Sequence, residues 1–441
     1  LGKGQYSAIA AVIQAARVHV RDRAMAEIEG DMASPKAMNR MVQGDVGSGK
    51  TAVAFYAAFI AAKNGRQAAV MVPTELLARQ HFQKASELFF GSFGVELLVG
   101  GQTAKQRREA YARIENGESA IVVGTQALLQ EKVKFSDLGV IVADEQHRFG
   151  VRQRAAIANK ADSPDVLVLS ATPIPRSLAL VVFGDMDVSV IDELPPGRRP
   201  VKTHIVPYAK RRDMYRYVAK KATLSEQTFV VCPLVEDSED YEGISAEALF
   251  AELTEGILSK VPTELLHGRM VGAQKQAALD RFRSGETKVL VSTTVVEVGV
   301  DIPAATVMII ENARRFGLAQ LHQLRGRVGR GALPGECYLC LENGEDGSNE
   351  RLTALCETTD GFEIAKRDLE LRGPGALLGT AQSGVDDFSA LMVSEGMDTL
   401  TTGRAIAKHV LEDDTFDDIR GELVEYVREL FDEKMKDIAL N

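Results

Sequence analysis

The sequence predicts an α/β protein in which two tandem domains, each with a parallel sheet, precede a helical C-terminal region. Short, almost wholly apolar runs alternate with helical segments over residues 38–192, and a second series with the same rhythm follows. Such runs are typical of parallel strands covered by helices on both faces. Three prolines and a glycine in DELPPGRRP, residues 192–200, separate the two series and indicate a linker.

Each of the two domains contains six strand-like runs. The first domain is predicted to contain NRMVQG, QAAVMVP, VELLVGG, SAIVVGT, LGVIVADE and DVLVLSA. The second domain is predicted to contain VKTHIVP, TFVVCPL, TELLHG, KVLVSTT, ATVMIIEN and GECYLCLE. Helical segments such as TELLARQHFQKASELFF lie between the runs, which predicts βαβ units and a doubly wound sheet.

The strand rhythm fades from about Asn343 onward, where the sequence favours helices, a glycine-rich loop and an acidic tail. Four apolar residues of the tail share one helical face, which we interpret as a packing stripe: Leu423, Val427, Leu430 and Phe431. The predicted domains are 1–23 as an N-terminal helical segment, 24–192 and 193–342 as the two α/β domains, and 343–441 as a helical hairpin, loop and acidic helix.

Composition argues against a membrane-spanning protein but leaves the ligand open. No apolar run approaches the ~20 residues that cross a bilayer. The net charge of −10 argues against a nucleic-acid partner, yet residues 411–441 carry eleven acidic and four basic side chains, and the remainder is nearly balanced. Net charge therefore does not decide the matter. The chain does not begin with Met, so we expect further sequence upstream of Leu1.

The four cysteines fit a reducing compartment. Cys337 and Cys340 form a C-x-x-C within GECYLCLE, which has the pattern of a strand. Because no second cysteine or histidine pair accompanies them, a buried strand is favoured over a metal or redox site.

A glycine-rich turn after the first strand predicts a phosphate-binding loop. GDVGSGKT satisfies G-x-x-x-x-G-K-[ST], and its glycines let backbone N–H groups surround phosphate oxygens. Lys50 is predicted to neutralise the β- and γ-phosphates, and the Thr51 hydroxyl to bind Mg²⁺. The predicted nucleotide-binding residues of the loop are Gly44, Asp45, Val46, Gly47, Ser48, Gly49, Lys50 and Thr51.

Two acidic residues end a later strand of the same domain. VIVADEQH delivers Asp144 and Glu145 to the carboxyl edge of the sheet, where ligands bind in open α/β sheets. We expect Asp144 to hold Mg²⁺ through water and Glu145 to deprotonate the attacking water, a role that a small-molecule kinase does not need. The next strand ends at Ser170 and Thr172, which we assign to coupling between the γ-phosphate and domain motion.

The second domain has no phosphate loop of its own, but it carries paired arginines. STTVVEVGVDIP offers backbone and hydroxyl groups beside Asp301, which we assign to nucleotide binding. QLHQLRGRVGRG puts Gln323, Arg327 and Arg330 on one segment. They could form only a solvated helix face, but arginines that reach the nucleotide of the first domain would stabilise transition-state charge. Hydrolysis would then depend on closure of the two domains.

Taken in order, these motifs resemble those of superfamily 2 helicases. The set is GDVGSGKT, PTELLARQH, VGTQALL, DEQHRFG, SATPIPR, TTVVEVGVDIP and QLHQLRGRVGR. More narrowly, GDVGSGKT, DEQHRFGV, VIDELPPGRRPVKT and LHGRM are similar to the RecG family of branch-migration DNA helicases. The resemblance covers roughly residues 24–400 and implies two tandem RecA-like P-loop domains with a TRG-like helical hairpin and loop.

The resemblance also implies which residues contact or respond to DNA. GFEIAKRDLELRGPGALLGTAQSG matches the TRG motif, which converts domain motion into movement on duplex DNA. This match gives coupling roles to Arg351, Arg372 and Gln382. Further DNA contacts, mostly to phosphates, are implied for Thr74, Glu75, Gly124, Thr125, Thr293 and Thr294, although these could equally be strand-end caps.

As cofactors and partners the resemblance implies ATP, Mg²⁺, branched or duplex DNA and the single-stranded-DNA-binding protein, for a monomer in the bacterial cytoplasm without a membrane partner. The family's N-terminal wedge domain and its adenine-reading L-T-x-x-Q stretch have no match here, and Arg21 lies near the place of that glutamine. The alternative is a motor like the transcription-repair coupling factor Mfd, which acts on stalled RNA polymerase but has DEEH where this chain has DEQH. A third hypothesis is a nucleotide-gated binding module without productive hydrolysis.

Overall fold

The computed structural model contains two β-sheets flanked by helices. It describes residues 19–144, 160–161, 163–170, 186–192, 199–233, 245–293, 302–345, 349–372 and 397–439. The chain divides into two compact units, of which one comprises residues 1–173 and 189–364 and the other residues 174–188 and 365–441. Both sheets belong to the first unit, apart from the opening residues of one edge strand.

The first sheet has seven strands in the order β3-β4-β2-β5-β6-β1-β7. Its strands are β1 (Asn39–Gly44), β2 (Gln67–Met71), β3 (Val95–Leu98), β4 (Ile121–Gly124), β5 (Leu138–Asp144), β6 (Asp165–Ser170) and β7 (Asp187–Ile191). The helices of this part are α1 (His19–Met32), α2 (Lys50–Lys63), α3 (Glu75–Leu88) and α4 (Ala104–Glu115). The pairs β1–β6, β5–β6, β2–β5, β2–β4 and β3–β4 are parallel.

The second sheet has six strands in the order β10-β11-β9-β12-β13-β8, and every neighbouring pair is parallel. Its strands are β8 (Lys202–Val206), β9 (Gln227–Val231), β10 (Thr263–Leu266), β11 (Val289–Ser292), β12 (Ala305–Ile310) and β13 (Glu336–Cys340). The helices that accompany it are α5 (Arg211–Thr223), α6 (Ala246–Glu255), α7 (Gly272–Arg283), α8 (Leu318–Arg325) and α9 (Glu350–Glu357).

Each sheet buries apolar side chains on both of its faces. Along β5, Val140 and Val142 pack into one core cluster, whereas Ile141 and Ala143 pack into another on the opposite face. Strand β9 of the second sheet divides its side chains between two clusters in the same way. This period of two explains why the strands are nearly continuous apolar runs, and it confirms the predicted two-sided covering.

All twelve strands predicted from the sequence are present, but the sequence analysis missed β7. This short strand lies beside β1; Ser189 and Ile191 are buried, Val188 and Val190 are half-buried, and Asp187 is exposed. The segment DVSVI carries polar residues on one face and directly precedes the proline-rich linker, so it lacked the apolar run that marked the other strands. The first sheet is therefore one strand wider than predicted.

The C-terminal region is helical, as predicted. It contains α10 (Gly361–Arg372), α11 (Met397–Glu412) and α12 (Asp417–Ala439). The interpretation of the α12 stripe as a packing face is wrong for its described part, because Leu423 is 43% exposed and Val427 is 57% exposed. Among the described residues, no helix is both long and apolar enough to cross a membrane.

The two cysteines of the C-x-x-C are buried in β13, as the sequence predicted. Cys337 packs into one core cluster of the second sheet and Cys340 into the other. Burial raises the pKa of Cys337 to about 12, because a thiolate is poorly solvated in an apolar interior. The two sulfur atoms therefore face opposite sides of the sheet, which does not suit a shared metal ion.

Candidate nucleotide-binding site

The predicted phosphate loop connects β1 to the N-terminus of α2. Gly47 and Gly49 have φ values of 80° and 96°, in the left-handed region that favours glycine. A Cβ at Gly44 would lie 2.5 Å from Ser48 Oγ, so this position has no room for a side chain. The backbone N–H groups at the start of α2 point toward the loop, which is the arrangement that binds phosphate oxygens. The residues therefore fit a phosphate group.

Lys50 reaches back over this loop. Its Nζ donates hydrogen bonds to the carbonyl oxygens of Gly44, at 2.7 Å, and Asp45, at 2.8 Å. The side chain is buried at 8% exposure, so its ammonium group is held over the loop rather than extended into water. Thr51, the next residue, is partly accessible, whereas most of α2 is buried.

Asp144 and Ser170 lie at the same carboxyl edge as the phosphate loop. Strand β6 separates β5 from β1, and the register pairs Asp144 with Leu169 and Ser170 with Gln43. These residues end neighbouring parallel strands and therefore share one edge of the sheet.

A histidine that the sequence analysis did not identify orients Asp144. His81 on α3 places its Nε2 3.0 Å from Asp144 Oδ2, and both side chains are buried. Carboxylates that bind metal ions are commonly held by such a second hydrogen bond. The contact therefore fixes the direction of the carboxylate that was predicted to bind Mg²⁺.

The segment QLHQLRGRVGRG, residues 320–331, is called the arginine segment here; it begins on α8 and continues beyond that helix. Gln323 lies on the helix, which ends at Arg325 with Gly326 as its cap. Arg327 follows the cap and is buried at 6% exposure. Arg330 Nε donates a 3.0 Å hydrogen bond to the carbonyl of Gly326. The predicted arginines are thus held by the turn after α8, not by one helical face.

The phosphate loop and this turn are in direct contact. A Cβ added at Gly326 would lie 2.9 Å from Val46 Cβ, so the loop packs closely against the bare backbone of the turn. His322 on α8 approaches Asp45, with 2.7 Å between Nε2 and Oδ1. The structure therefore brings together the loop and the arginine segment that the sequence assigned to one nucleotide site.

Arg325, which was not among the predicted site residues, connects the end of α8 to the end of α9. Its guanidinium donates to His322 Nδ1 at 2.9 Å. It also donates to the carbonyl oxygens of Leu355, at 2.6 Å, and Thr358, at 2.8 Å, at the end of α9. Burial lowers the pKa of this guanidinium, and the carbonyl acceptors compensate in part for its lost hydration.

The residues implied to contact DNA lie at strand ends and helix starts of both sheets. The Thr74 hydroxyl accepts a 3.3 Å hydrogen bond from Leu77 N, so it caps α3. Glu75 Oε1 accepts a 2.8 Å hydrogen bond from the Gly101 amide. Gly124 ends β4 where a Cβ would lie 2.4 Å from a backbone oxygen. Thr74 therefore caps the start of a helix and not the end of a strand, and the predicted DNA contacts stay predictions.

Thr125, Thr293 and Arg351 have structural contacts of their own. The Thr125 amide donates to Leu98 O at 3.3 Å, and the amide of the buried Thr293 donates to Leu266 O at 3.3 Å. Arg351 on α9 donates a 3.3 Å hydrogen bond to a backbone carbonyl oxygen. Several predicted site residues lie outside the described residues, namely Glu145, Thr172, Thr294, Asp301 and Gln382, and only the backbone of Arg372 is described.

Within the described part of the chain, no group of three or more His, Cys, Asp or Glu side chains could hold a metal ion by itself. The predicted Mg²⁺ ligands, a single hydroxyl and a single carboxylate, do not form such a group. This is the usual situation for Mg²⁺, which keeps several waters and binds through one or two protein oxygens plus phosphate.

Two parallel-sheet domains that meet at one phosphate loop define the core of a superfamily 2 helicase. Three family models match in order along the chain: DEAD/DEAH box helicase over residues 18–181, helicase conserved C-terminal domain over 209–332, and the C-terminal part of domain 3 of ATP-dependent DNA helicase RecG over 358–439. The chain belongs to the RecG family.

Individual relatives agree with this assignment. The chain is 47% identical over 395 residues to the ATP-dependent DNA helicase RecG of Synechocystis sp., covering 89% of this chain and 48% of that protein. It is 45% identical to RecG of Streptococcus pneumoniae, covering 90% and 59%. A solved structure of RecG bound to a three-way DNA junction is similar with a TM-score of 0.70 and 42% identity, over 85% of this chain and 50% of that one. The chain thus spans about half the length of the relatives that it matches.

Proposed function

We propose that this chain is an ATP-driven motor on double-stranded DNA that remodels branched DNA, such as stalled replication forks and Holliday junctions, in recombination and repair. The observation that carries the proposal is the contact between the phosphate loop and the arginine segment, with Val46 against Gly326. Hydrolysis that needs both domains in contact can convert ATP turnover into domain motion. Similarity to a RecG structure bound to a three-way DNA junction supports branched DNA as the substrate.

In this proposal, each side of the site supplies a different part of the chemistry. Lys50 neutralises phosphate charge, and Glu145 deprotonates the attacking water. Arg327 and Arg330, with Gln323 beside them, stabilise the charge that develops on the transferred phosphoryl group. Asp301 completes the nucleotide contacts from the second domain.

Mg²⁺ is the metal that we propose for this site. The Thr51 hydroxyl and the Asp144 carboxylate are hard oxygen donors of the kind that Mg²⁺ prefers. When bound, the ion supplies positive charge to the phosphates. Asp144 contributes a carboxylate whose orientation is fixed by His81, at 3.0 Å.

We further propose that Ser170 and Thr172 couple the site to DNA contacts, which fall mainly on phosphates. Thr74, Gly124 and Thr125 would supply them from the first domain, and Thr293 and Thr294 from the second. Arg351, Arg372 and Gln382 would transmit domain motion through the C-terminal region. By family likeness we also propose a monomer in the bacterial cytoplasm that works with single-stranded-DNA-binding protein.

The test is ATP turnover by the purified chain alone, with a DNA duplex, and with a three-way junction. We expect strong stimulation by DNA and its loss in Lys50→Ala and Arg330→Ala, because either change removes charge from the site. Lys63→Ala on the exposed end of α2 and Arg216→Ala, whose side chain is 62% exposed, are matched controls that should keep full stimulation.

Three outcomes separate the hypotheses. Greater stimulation by the junction than by the duplex supports branched DNA as the substrate. Turnover that is unchanged in Glu145→Gln contradicts the assigned mechanism. Nucleotide binding without hydrolysis, with or without DNA, contradicts the motor and favours a nucleotide-gated binding module.

A further inference from the structure

Asp45 and His322 form a hydrogen bond across the contact between the two domains. Asp45 is the first variable residue of the phosphate loop, and His322 lies on α8 among the residues of the arginine segment. The 2.7 Å distance between His322 Nε2 and Asp45 Oδ1 is that of a charge-assisted hydrogen bond. Neither residue type is required for phosphate binding, since loop contacts to phosphate use the backbone.

Arg325 determines which nitrogen of His322 carries the proton. A guanidinium can only donate hydrogen bonds, so His322 Nδ1, 2.9 Å from the Arg325 guanidinium, must be the acceptor. A neutral imidazole then carries its proton on Nε2, which donates to the Asp45 carboxylate. Arg325, His322 and Asp45 therefore form a directed chain of hydrogen bonds that ends in the phosphate loop.

Two of the three side chains in this hydrogen-bonded chain are buried, and the third, Asp45, is 18% exposed. His322 is 4% exposed and Arg325 is 3% exposed. The other donors of Arg325 bind two backbone carbonyls at the end of α9, which fixes the direction of the guanidinium. Asp45 is fixed as well, since its carboxylate also accepts a hydrogen bond from the Val46 amide.

We propose that the Asp45–His322 pair positions the arginine segment against the phosphate loop, so that Arg327 and Arg330 reach the reacting phosphate. This inference rests on the proposed function and adds two positioning residues to it. The geometry favours such a role, because Arg327 lies two residues after the end of α8 and Arg330 donates a 3.0 Å hydrogen bond to the Gly326 carbonyl. A shift of His322 would move the whole segment.

The experiment is a double-mutant cycle on ATP turnover. His322→Ala is expected to lower kcat about tenfold while changing KM for ATP less than threefold, because a charge-assisted hydrogen bond that orients the reacting groups is lost. Asp45→Ala should lower kcat by a similar factor. The double variant should be about tenfold slower than the unaltered chain, not about a hundredfold, because both changes break the same bond.

Conservative and control variants distinguish positioning from general damage. His322→Gln keeps a donor for Asp45 and an acceptor for Arg325, so it should recover most of the lost kcat. His204→Ala removes an exposed histidine of β8 and should leave kcat unchanged. Arg199 lines the same cleft as Asp45 and His322. If Arg199→Ala couples to Asp45→Ala while His322→Ala does not, the pairing is wrong.

A second readout does not depend on turnover. In spectra of ¹⁵N-histidine-labelled protein, His322 should show a protonated Nε2 and an unprotonated Nδ1, and Asp45→Ala should shift the Nε2 signal. An imidazole with the proton on Nδ1 would overturn the proposal. Turnover by His322→Ala equal to that of the unaltered chain would also overturn it while leaving the proposed function intact. A complete lack of turnover by the unaltered chain would refute both.

Discussion

Gly326 is the position where the smallest change should separate the two halves of the nucleotide site. In Gly326→Ala the new methyl group would lie 2.9 Å from Val46 Cβ, 3.1 Å from Cγ1 and 3.3 Å from Cγ2. Ordinary carbon contacts are ~3.5–4.0 Å, so all three are too short. The φ of Gly326 is −66°, which any residue adopts, so the cost is steric alone.

The size of the effect follows from this crowding. Inserting a methyl group into a packed contact costs roughly 1–3 kcal/mol. Because the two crowded residues belong to different domains, we expect the strain to be relieved by moving the turn away from the phosphate loop. Arg330, which is bonded to Gly326, would move with it. A loss of 1–3 kcal/mol in the transition state corresponds to a decrease in kcat of about 5- to 150-fold.

The assay is DNA-stimulated ATP turnover together with thermal unfolding. We expect a lower kcat with a melting temperature close to that of the unaltered protein, and recovery in Val46→Gly/Gly326→Ala, which removes all three crowding atoms. Gly30→Ala is a matched control, since a Cβ at Gly30 meets nothing within 4 Å. Normal turnover by Gly326→Ala would refute the reasoning, because the two domains would then not need this contact during hydrolysis.

Three other predictions concern buried polar groups. Glu311→Ala should lower the free energy of unfolding by ~3–5 kcal/mol, because it removes the buried carboxylate that lies 3.0 Å from Arg211 and leaves this arginine only its exposed partner Glu252. Glu252→Ala, at a carboxylate 57% exposed, should cost less than ~1 kcal/mol, and equal losses in urea denaturation would contradict this. His81→Ala should raise the Mg²⁺ concentration for half-maximal turnover at least ~10-fold by releasing Asp144, and His81→Gln less so. Because burial raises the pKa of Cys337 to about 12, its protonated thiol stabilises the folded state fully below the unfolded pKa of ~8.5. Above that pH the free energy of unfolding should fall by up to ~1.4 kcal/mol per pH unit, and this fall should be shallower in Cys337→Ala.

The parts of the site that the sequence predicted are those whose chemistry is local. The phosphate loop was predictable because its glycines, lysine and threonine lie within one turn of chain. The same holds for Asp144, which ends an apolar strand. Their spacing alone dictates a strand, a loop and a helix in that order.

The parts that were missed depend on distant contacts. His81 meets Asp144 across 63 residues, and His322 meets Asp45 across 277. A single histidine on a helix has no spacing that identifies its partner, so only the fold can pair them. The prediction that the apolar stripe of α12 is a packing face was wrong for a different reason. The periodicity of the stripe correctly predicted a helix, but periodicity does not say whether anything covers the apolar face.

The missed strand β7 has a mechanical consequence. It is the last strand before the segment that leads to the second sheet, and it lies beside β1, which carries the phosphate loop. Arg40 of β1 donates a 2.9 Å hydrogen bond to Ser189 of β7, and a Cβ at Gly44 would lie 3.1 Å from Ile191. Neighbouring strands are only ~4.8 Å apart. A force on the segment that connects β7 to the second sheet would therefore be transmitted through β7 to Gly44, the first glycine of the phosphate loop. In the proposed motor, a load on this connection would therefore act on the phosphate loop without passing through the arginines.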